Sequence, residues 1–398
     1  MRYPRFLKEN GTIAFAAPSF GCATEPYKAG FLNAQKKWEE EGYRLKLGPN
    51  CYVEQGVGIS NKPNLCGEEL TQYYCDPDSD CIISCGGGEL MCEILDYVDF
   101  EKIGRADPKW YMGYSDNTNM TFLLATLCDT ASVYGPCAAA FGMEPRHQAL
   151  DDAMALLRGE KLTMEGYGMW ERESLKSEDN PFATYQLTET SRIKYWLPDG
   201  RTNVESLQAV GKAAIFTEKQ AEQNDIESRP EKTGHMEAEA AGTIVKRNDS
   251  QIRTEAQIQM SGRLLGGCMD CLVNMLGTNY DKVPDFVEKY KDDGILWFLE
   301  ACDLNLMSIR RAMWQMEHAG WFQNCSGFLI GRPLNGMGVE DFGIDHYQAF
   351  CEMLYQYHVP VLMDLDIGHL PPMMPLICGS KAYVVSNGNQ YSIEMKLE

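Results

Sequence analysis

The sequence predicts an α/β protein of two domains, the first built on a mostly parallel sheet. Three observations predict it. The chain has 398 residues, more than one typical core organises. Its first ~150 residues alternate strand-like and helix-like stretches, as strand–helix–strand units do. A second patterned region begins near Gly262, beyond a polar stretch with few apolar runs.

Taken in order, Thr12-Ile13-Ala14-Phe15-Ala16-Ala17 is an apolar strand ended by Pro18-Ser19, with a helix over about 27–41. Cys81-Ile82-Ile83-Ser84-Cys85 is a second buried strand, stopped by Gly86-Gly87-Gly88 and followed by a helix over about 89–97. Trp110-Tyr111-Met112-Gly113-Tyr114 is a third, ending at Ser115, with a helix over about 117–127. In the second region, Ile295-Leu296-Trp297-Phe298-Leu299-Glu300 reads as a buried strand and about 306–319 as a helix. Gly327-Phe328-Leu329-Ile330, Val359-Pro360-Val361-Leu362-Met363 and segments near 382–385 and 390–394 complete the strands. The expected division is an N-terminal domain over about 1–160, a connection over about 161–191, and a C-terminal domain over about 192–398 carrying an insertion around 199–255.

Hydrophobic residues make up 44% and charged residues 23%, ordinary values for a globular chain. A net charge of −21, without any Lys/Arg-rich run, repels phosphate backbones and anionic bilayers, which argues against nucleic acid and membrane surfaces as partners. Charges interrupt the N-terminus before an apolar run of signal length, and no stretch approaches a membrane span, so a cytoplasmic protein is expected. The fifteen cysteines then read as reduced thiols, most of them within apolar runs. The CxxC at Cys268 and Cys271 lacks a second pair or a nearby His at zinc spacing.

Ser115 stands between a buried strand and a helix. That turn would lift its Oγ from the sheet edge and aim the N–H groups of a helix N-terminus at an oxyanion. Gly113-Tyr114-Ser115-Asp116-Asn117 lacks the second glycine of the G-x-S-x-G elbow, and an N-cap role for Ser115 or Asp116 accounts for the same residues. Gly86-Gly87-Gly88 suits either an exposed N–H for an oxyanion hole or a plain tight turn. Among six histidines, His369 alone lies in a Gly/Pro loop directly after a strand, in Asp366-Ile367-Gly368-His369-Leu370-Pro371-Pro372. Glu300 terminates an apolar run, where a carboxylate can orient an imidazole or simply face solvent.

Together these segments resemble the family of serine peptidases containing LD-carboxypeptidase A and the microcin C self-immunity peptidase. The resemblance rests on Ala17-Pro18-Ser19, Ser84-Cys85-Gly86-Gly87-Gly88, Pro108 to Thr118, Tyr134-Gly135-Pro136, Gly262 to Gly267, Leu299-Glu300 and Gly368-His369, in that order along nearly the whole chain. It implies a Ser115–His369–Glu300 triad and an oxyanion hole from the N–H groups of Gly87 or Gly88 and Asp116. It further implies an N-terminal domain like the class I glutamine amidotransferases, a smaller β-rich α/β C-terminal domain, no metal or cofactor, and a homodimer. Trp170 resembles the position at which the immunity branch stacks a tryptophan on its substrate, but packing at a domain seam is the preferred reading. Arg310 and Arg311 are candidates for a carboxylate clamp or for plain surface charges.

The expected activity is that of a serine carboxypeptidase-like amidohydrolase acting on a small peptide or peptide conjugate. An LD-peptide bond in a muropeptide is the first substrate class, and a peptidyl-nucleotide or related amide toxin the second. An inactive peptide-binding homologue is the alternative outside enzymes. Glutamine amidotransferase chemistry is disfavoured because the turn carries a serine where that reaction needs cysteine.

Overall fold

Thr12-Ile13-Ala14-Phe15-Ala16 forms β1 (Thr12–Ala16), every residue of it buried. Ile13 and Phe15 pack into one core and Ala14 and Ala16 into another, as a strand covered on both faces requires. The computed structural model describes residues 1–208 and 257–398, so the insertion expected around 199–255 lies largely outside the described residues.

After β1 come α1 (Tyr27–Glu40), β2 (Arg44–Leu47), α2 (Pro63–Tyr74), β3 (Cys81–Ser84), a 3₁₀ segment over Met91–Tyr97, and α3 (Phe100–Arg105). β4 (Trp110–Gly113), α4 (Thr118–Cys128), β5 (Ser132–Tyr134) and α5 (Gln148–Leu157) follow. The short strands β6 (Thr163–Glu165), β7 (Met169–Trp170), β8 (Glu189–Thr190) and β9 (Lys194–Trp196) come next. Beyond residue 257 lie β10 (Ile258–Cys268), α6 (Met269–Met275), α7 (Val283–Lys289), β11 (Ile295–Glu300), α8 (Leu306–His318) and β12 (Cys325–Gly331). The chain closes with β13 (Glu340–Asp341), β14 (Ile344–Asp345), α9 (His346–Cys351), β15 (Val361–Leu365), β16 (Leu376–Cys378), β17 (Lys381–Asn387) and β18 (Gln390–Lys396).

Among the described residues, two large sheets organise the chain. The first runs β16-β5-β4-β3-β1-β2 and is parallel from β5 to β2. The second runs β6-β18-β17-β10-β11-β12-β15-β9, with a parallel centre from β10 to β15. The sheets exchange strands: β16, late in the chain, pairs antiparallel with β5, while β6 and β9 edge the second sheet. One buried cluster spans both, from Phe15, Trp38 and Trp110 to Trp297 and Trp321.

Most predicted elements fall within two residues of those observed. The expected helix over 89–97 is instead a 3₁₀ segment. Its approach is pinned by the N–H groups of Glu89 and Leu90 on the Gly58 carbonyl and by Met91 N–H on Asp116, which fixes where winding begins. β2 and α2 had no expectation; Arg44-Leu45-Lys46-Leu47 is a partly exposed edge strand with too little apolar signal to stand out. No described helix is long and apolar enough to cross a membrane.

Candidate active site

The carboxyl ends of the two parallel sheet centres face one another, and the site is built where they meet. β4 ends at Gly113, and Ser115 takes φ +62° before the chain winds through Ser115–Asn117 into α4. A non-glycine residue in this left-handed region is held there at a cost of about 1 kcal/mol or more. Asn117 supplies part of the hold: its amide donates to the carbonyls of Gly86 (2.9 Å) and Tyr114 (3.1 Å), and its Oδ1 accepts from Tyr111.

Ser115 Oγ lies 2.9 Å from His369 Nε2, and His369 Nδ1 lies 2.9 Å from Glu300 Oε2. Glu300, the last residue of β11, is completely buried. Its other oxygen accepts from the Tyr134 hydroxyl at 2.6 Å, and the same hydroxyl accepts the Ser115 N–H at 3.3 Å. One phenol therefore ties the carboxylate of the second sheet to the serine of the first. Gly368 lets His369 reach that carboxylate. Its φ is +102°, and a Cβ there would sit 2.6 Å from Glu300 Oε2.

Burial alone would lower the basicity of His369, but the Glu300 carboxylate, with help from Cys302, outweighs it and holds the imidazole well above its ordinary range. Burial alone would raise the Glu300 carboxyl; the charge and hydrogen bond of His369, then Tyr134 and Cys268, hold it below the usual range. Asp116 differs. Burial pushes its carboxyl up to about 6 against the opposing bonds from Ser19 (2.5 Å) and Met91 N–H (2.9 Å).

The glycine turn arrives beside the serine. A Cβ on Gly87 would lie 3.1 Å from Ser115 Cβ and 3.2 Å from its Oγ, whereas one on Gly88 would meet Ser19 Oγ at 2.2 Å. Gly87 is thus the residue against Ser115, and Gly88 lines the adjoining cavity of about 70 Å³. The Asp116 N–H belongs to the first turn after the elbow, where intrahelical acceptors are lacking.

Two candidate substrate contacts already have partners of their own. Trp170 is only 4% exposed, and the guanidinium groups of Arg172 and Arg332 stand 5.0 and 5.2 Å from its ring. Arg332 is itself buried and paired with Asp366 at 2.5 Å, so Trp170 packs into the seam behind the His369 loop instead of offering an open stacking face. Arg310 pairs with Glu352 at 2.6 Å in a separate groove with Trp314 and Met353, which leaves it unavailable as a clamp beside Ser115. Arg311 borders that same groove. Other histidines serve elsewhere: His147 caps α5, and His346 faces Asp364 at 3.3 Å. Sequence reasoning assigned no role to Tyr134, Asn117, Cys268 or Cys302. Tyr134 had a signal, since Tyr134-Gly135-Pro136 was among the resembling segments.

Residues 13–135 match the model of the LD-carboxypeptidase N-terminal domain, and residues 261–384 that of the LD-carboxypeptidase C-terminal domain. The chain belongs to the LD-carboxypeptidase family. This places it among carboxypeptidase-like hydrolases. A Vibrio cholerae family member named as a carboxypeptidase is 21% identical over 99% of this chain and 98% of its own length. The microcin C7 self-immunity protein MccF of Escherichia coli is 23% identical over 97% of this chain and 94% of that protein. MccF solved with aspartyl sulfamoyl adenosine superposes with a TM-score of 0.69 at 18% identity, covering 99% and 98% of the two chains. A muramoyltetrapeptide carboxypeptidase from Oxalobacter formigenes gives 0.60 at 15% identity, covering 96% and 98%. These likenesses establish a shared two-domain fold.

Proposed function

We propose that this family member is a serine amidohydrolase of the LD-carboxypeptidase type, with Ser115 as nucleophile, His369 as general base and acid, and Glu300 as the orienting carboxylate. The observation that carries this reading is the chain of 2.9 Å contacts from Ser115 Oγ through His369 to Glu300. His369 Nε2 takes the hydroxyl proton as Oγ attacks the scissile carbonyl. The N–H groups of Gly87 and Asp116 receive the oxyanion, and Glu300 stabilises the imidazolium formed. His369 then protonates the leaving amine, and water repeats the sequence to free the acid.

The preferred substrate is a muropeptide stem cut between an L-configured centre and a terminal D-residue, in keeping with the muramoyltetrapeptide carboxypeptidase of the same fold. A second reading, cleavage of a peptidyl-nucleotide amide, is favoured by MccF, whose solved complex holds aspartyl sulfamoyl adenosine. One purified sample assayed against both substrates separates them. Ser115→Ala should abolish hydrolysis of whichever is cut and labelling by a fluorophosphonate probe. Full hydrolysis by that variant overturns the nucleophile assignment. A folded, unaltered chain that neither hydrolyses nor labels favours a peptide-binding homologue.

A further inference from the structure

The CxxC at Cys268 and Cys271 lacks metal partners along the sequence, but the fold supplies them. Cys268 and Glu300 are register partners at the carboxyl ends of the parallel strands β10 and β11, and His369 closes over both. One ligand atom from each of Cys268, Glu300 and His369 lies within 4.8 Å of the other two. Sulfur, imidazole and carboxylate are the ligand types that zinc takes in proteins.

We propose that Cys268, Glu300 and His369 form a site for a thiophilic divalent cation, zinc foremost, whose occupation silences Ser115. The ion would act as an inhibitor. Tetrahedral zinc bonded to nitrogen and oxygen at its usual lengths holds them roughly 3.3 Å apart. His369 Nδ1 and Glu300 Oε2 are 2.9 Å apart, so the pair opens by only a few tenths of an ångström while the Cys268 sulfur draws in. On binding, Cys268 gives up its thiol proton and His369 the hydrogen on Nδ1, both to solvent, and the imidazole keeps one hydrogen, on Nε2. Its Sγ now leans on Asp270 Oδ2 at 3.3 Å, a contact it can release because Asp270 is already held by the N–H groups of Cys302, Asp303 and Leu304.

The thiol end of the site borders the cavity beside Ser115. Cys268 lines the cavity of about 70 Å³ together with Ser115, Cys271, Cys302 and Cys92, and Glu89, Asp116, Asp270 and Asp303 add carboxylates that would draw a cation in. The silencing follows from tautomer chemistry. A neutral imidazole with metal on Nδ1 carries its hydrogen on Nε2. That N–H faces Ser115 Oγ at 2.9 Å and donates to it, so no lone pair remains to take the serine proton.

The test uses the full chain stripped with EDTA. Titration against a chromophoric chelator should find one tight zinc equivalent, and cobalt in its place should show thiolate charge-transfer absorption. Cys268→Ser and Cys268→Ala should each weaken binding at least about 100-fold and abolish that band, while Cys325→Ala, on β12, changes neither. Ser115→Ala should bind zinc as the unaltered chain does. Absence of the thiolate band in the unaltered chain, or undiminished binding in both Cys268 variants, overturns the site. The inhibition arm rests on the hydrolase reading: zinc should stop hydrolysis and EDTA restore it. A stripped chain that binds cobalt through thiolate but hydrolyses nothing removes the hydrolase reading and leaves the ion site standing. Hydrolysis indifferent to bound zinc overturns the silencing.

Discussion

Glu300→Gln keeps the volume of a buried side chain and removes its charge. In the unaltered chain the carboxylate faces His369 Nδ1 at 2.9 Å and is completely shielded from solvent. At an effective dielectric near 20, unit charges at that separation attract by about 6 kcal/mol, part of which the desolvation of both groups offsets. That attraction matters most when His369 becomes an imidazolium, as it does in the transition state of acyl transfer. A glutamine amide can also turn its NH₂ toward Nδ1 and favour the tautomer with hydrogen on Nε2, which faces Ser115 as a donor. Both effects point the same way, to a loss of about ten-thousandfold in kcat, or about 5.5 kcal/mol.

The pH profile separates this cause from mere misfolding. Glu300 holds the imidazole well above its ordinary range, so the neutral base accumulates only as pH rises, and kcat/KM should climb on a limb above the usual histidine region. Removing the carboxylate removes the upward pull, and the residual activity of Glu300→Gln should show that limb displaced to lower pH. The measurement is release of the terminal amino acid from a tetrapeptide stem across the pH range, with thermal unfolding as a control on folding. A variant that keeps more than about a tenth of kcat/KM, or whose limb stays where it was, refutes the role given to Glu300.

Three further substitutions probe the surroundings. Tyr134→Phe deletes the hydroxyl that donates to Glu300 and accepts from Ser115 N–H; a loss of about tenfold in kcat with little change in KM is expected, and unchanged kinetics would make the bridge ornamental. Gly87→Ala places a methyl 3.2 Å from Ser115 Oγ, so hydrolysis and fluorophosphonate labelling should both fall while the unfolding temperature moves little. Asp116 is a carboxyl raised to about 6 by burial, so the folded state binds its proton more tightly than the unfolded chain does. Its contribution is present at low pH and is lost as pH rises from near 4 through 6, by about 3 kcal/mol. Asp116→Asn should remove that slope from stability measured by denaturant at pH 4 and pH 7, and equal slopes would contradict the burial argument.

What was legible in the sequence was the ends of strands. An apolar run that stops at Ser115, another that stops at Glu300, and a Gly-His step just past a third each announce a side chain at a sheet's carboxyl edge. Such signals are local, because burial ends and the turn begins within a few residues. The roles of Tyr134 and Cys268 were not legible, even though Tyr134 stood in a recognisable segment, because each acquires its role through a neighbouring strand. Tyr134 is the register partner of Gly113 on β4, which carries its hydroxyl to Ser115; Cys268 is the register partner of Glu300, which carries its thiol to the carboxylate. Register is fixed by the packing of whole strands, and no short segment encodes it. For Trp170 and Arg310 the sequence left two readings open for a related reason. Residue type suggested a ligand, but availability is decided by what already occupies the ring face or the guanidinium, here Arg172, Arg332 and Glu352.

The same distinction applies to the thiols beside Ser115, His369 and Glu300. A serine at φ +62°, a carboxylate with no solvent and a histidine drawn above its usual range are each unfavourable alone, and they persist because each satisfies the others. A set of groups held in that way is equally well arranged for any ligand that matches their lone pairs. With Cys268 registered beside Glu300, the geometry proposed to let His369 accept a proton from Ser115 would also let it accept a thiophilic cation. Discrimination between the two then falls to Cys268, since replacing its sulfur removes a zinc ligand while the 2.9 Å contacts from Ser115 to Glu300 remain.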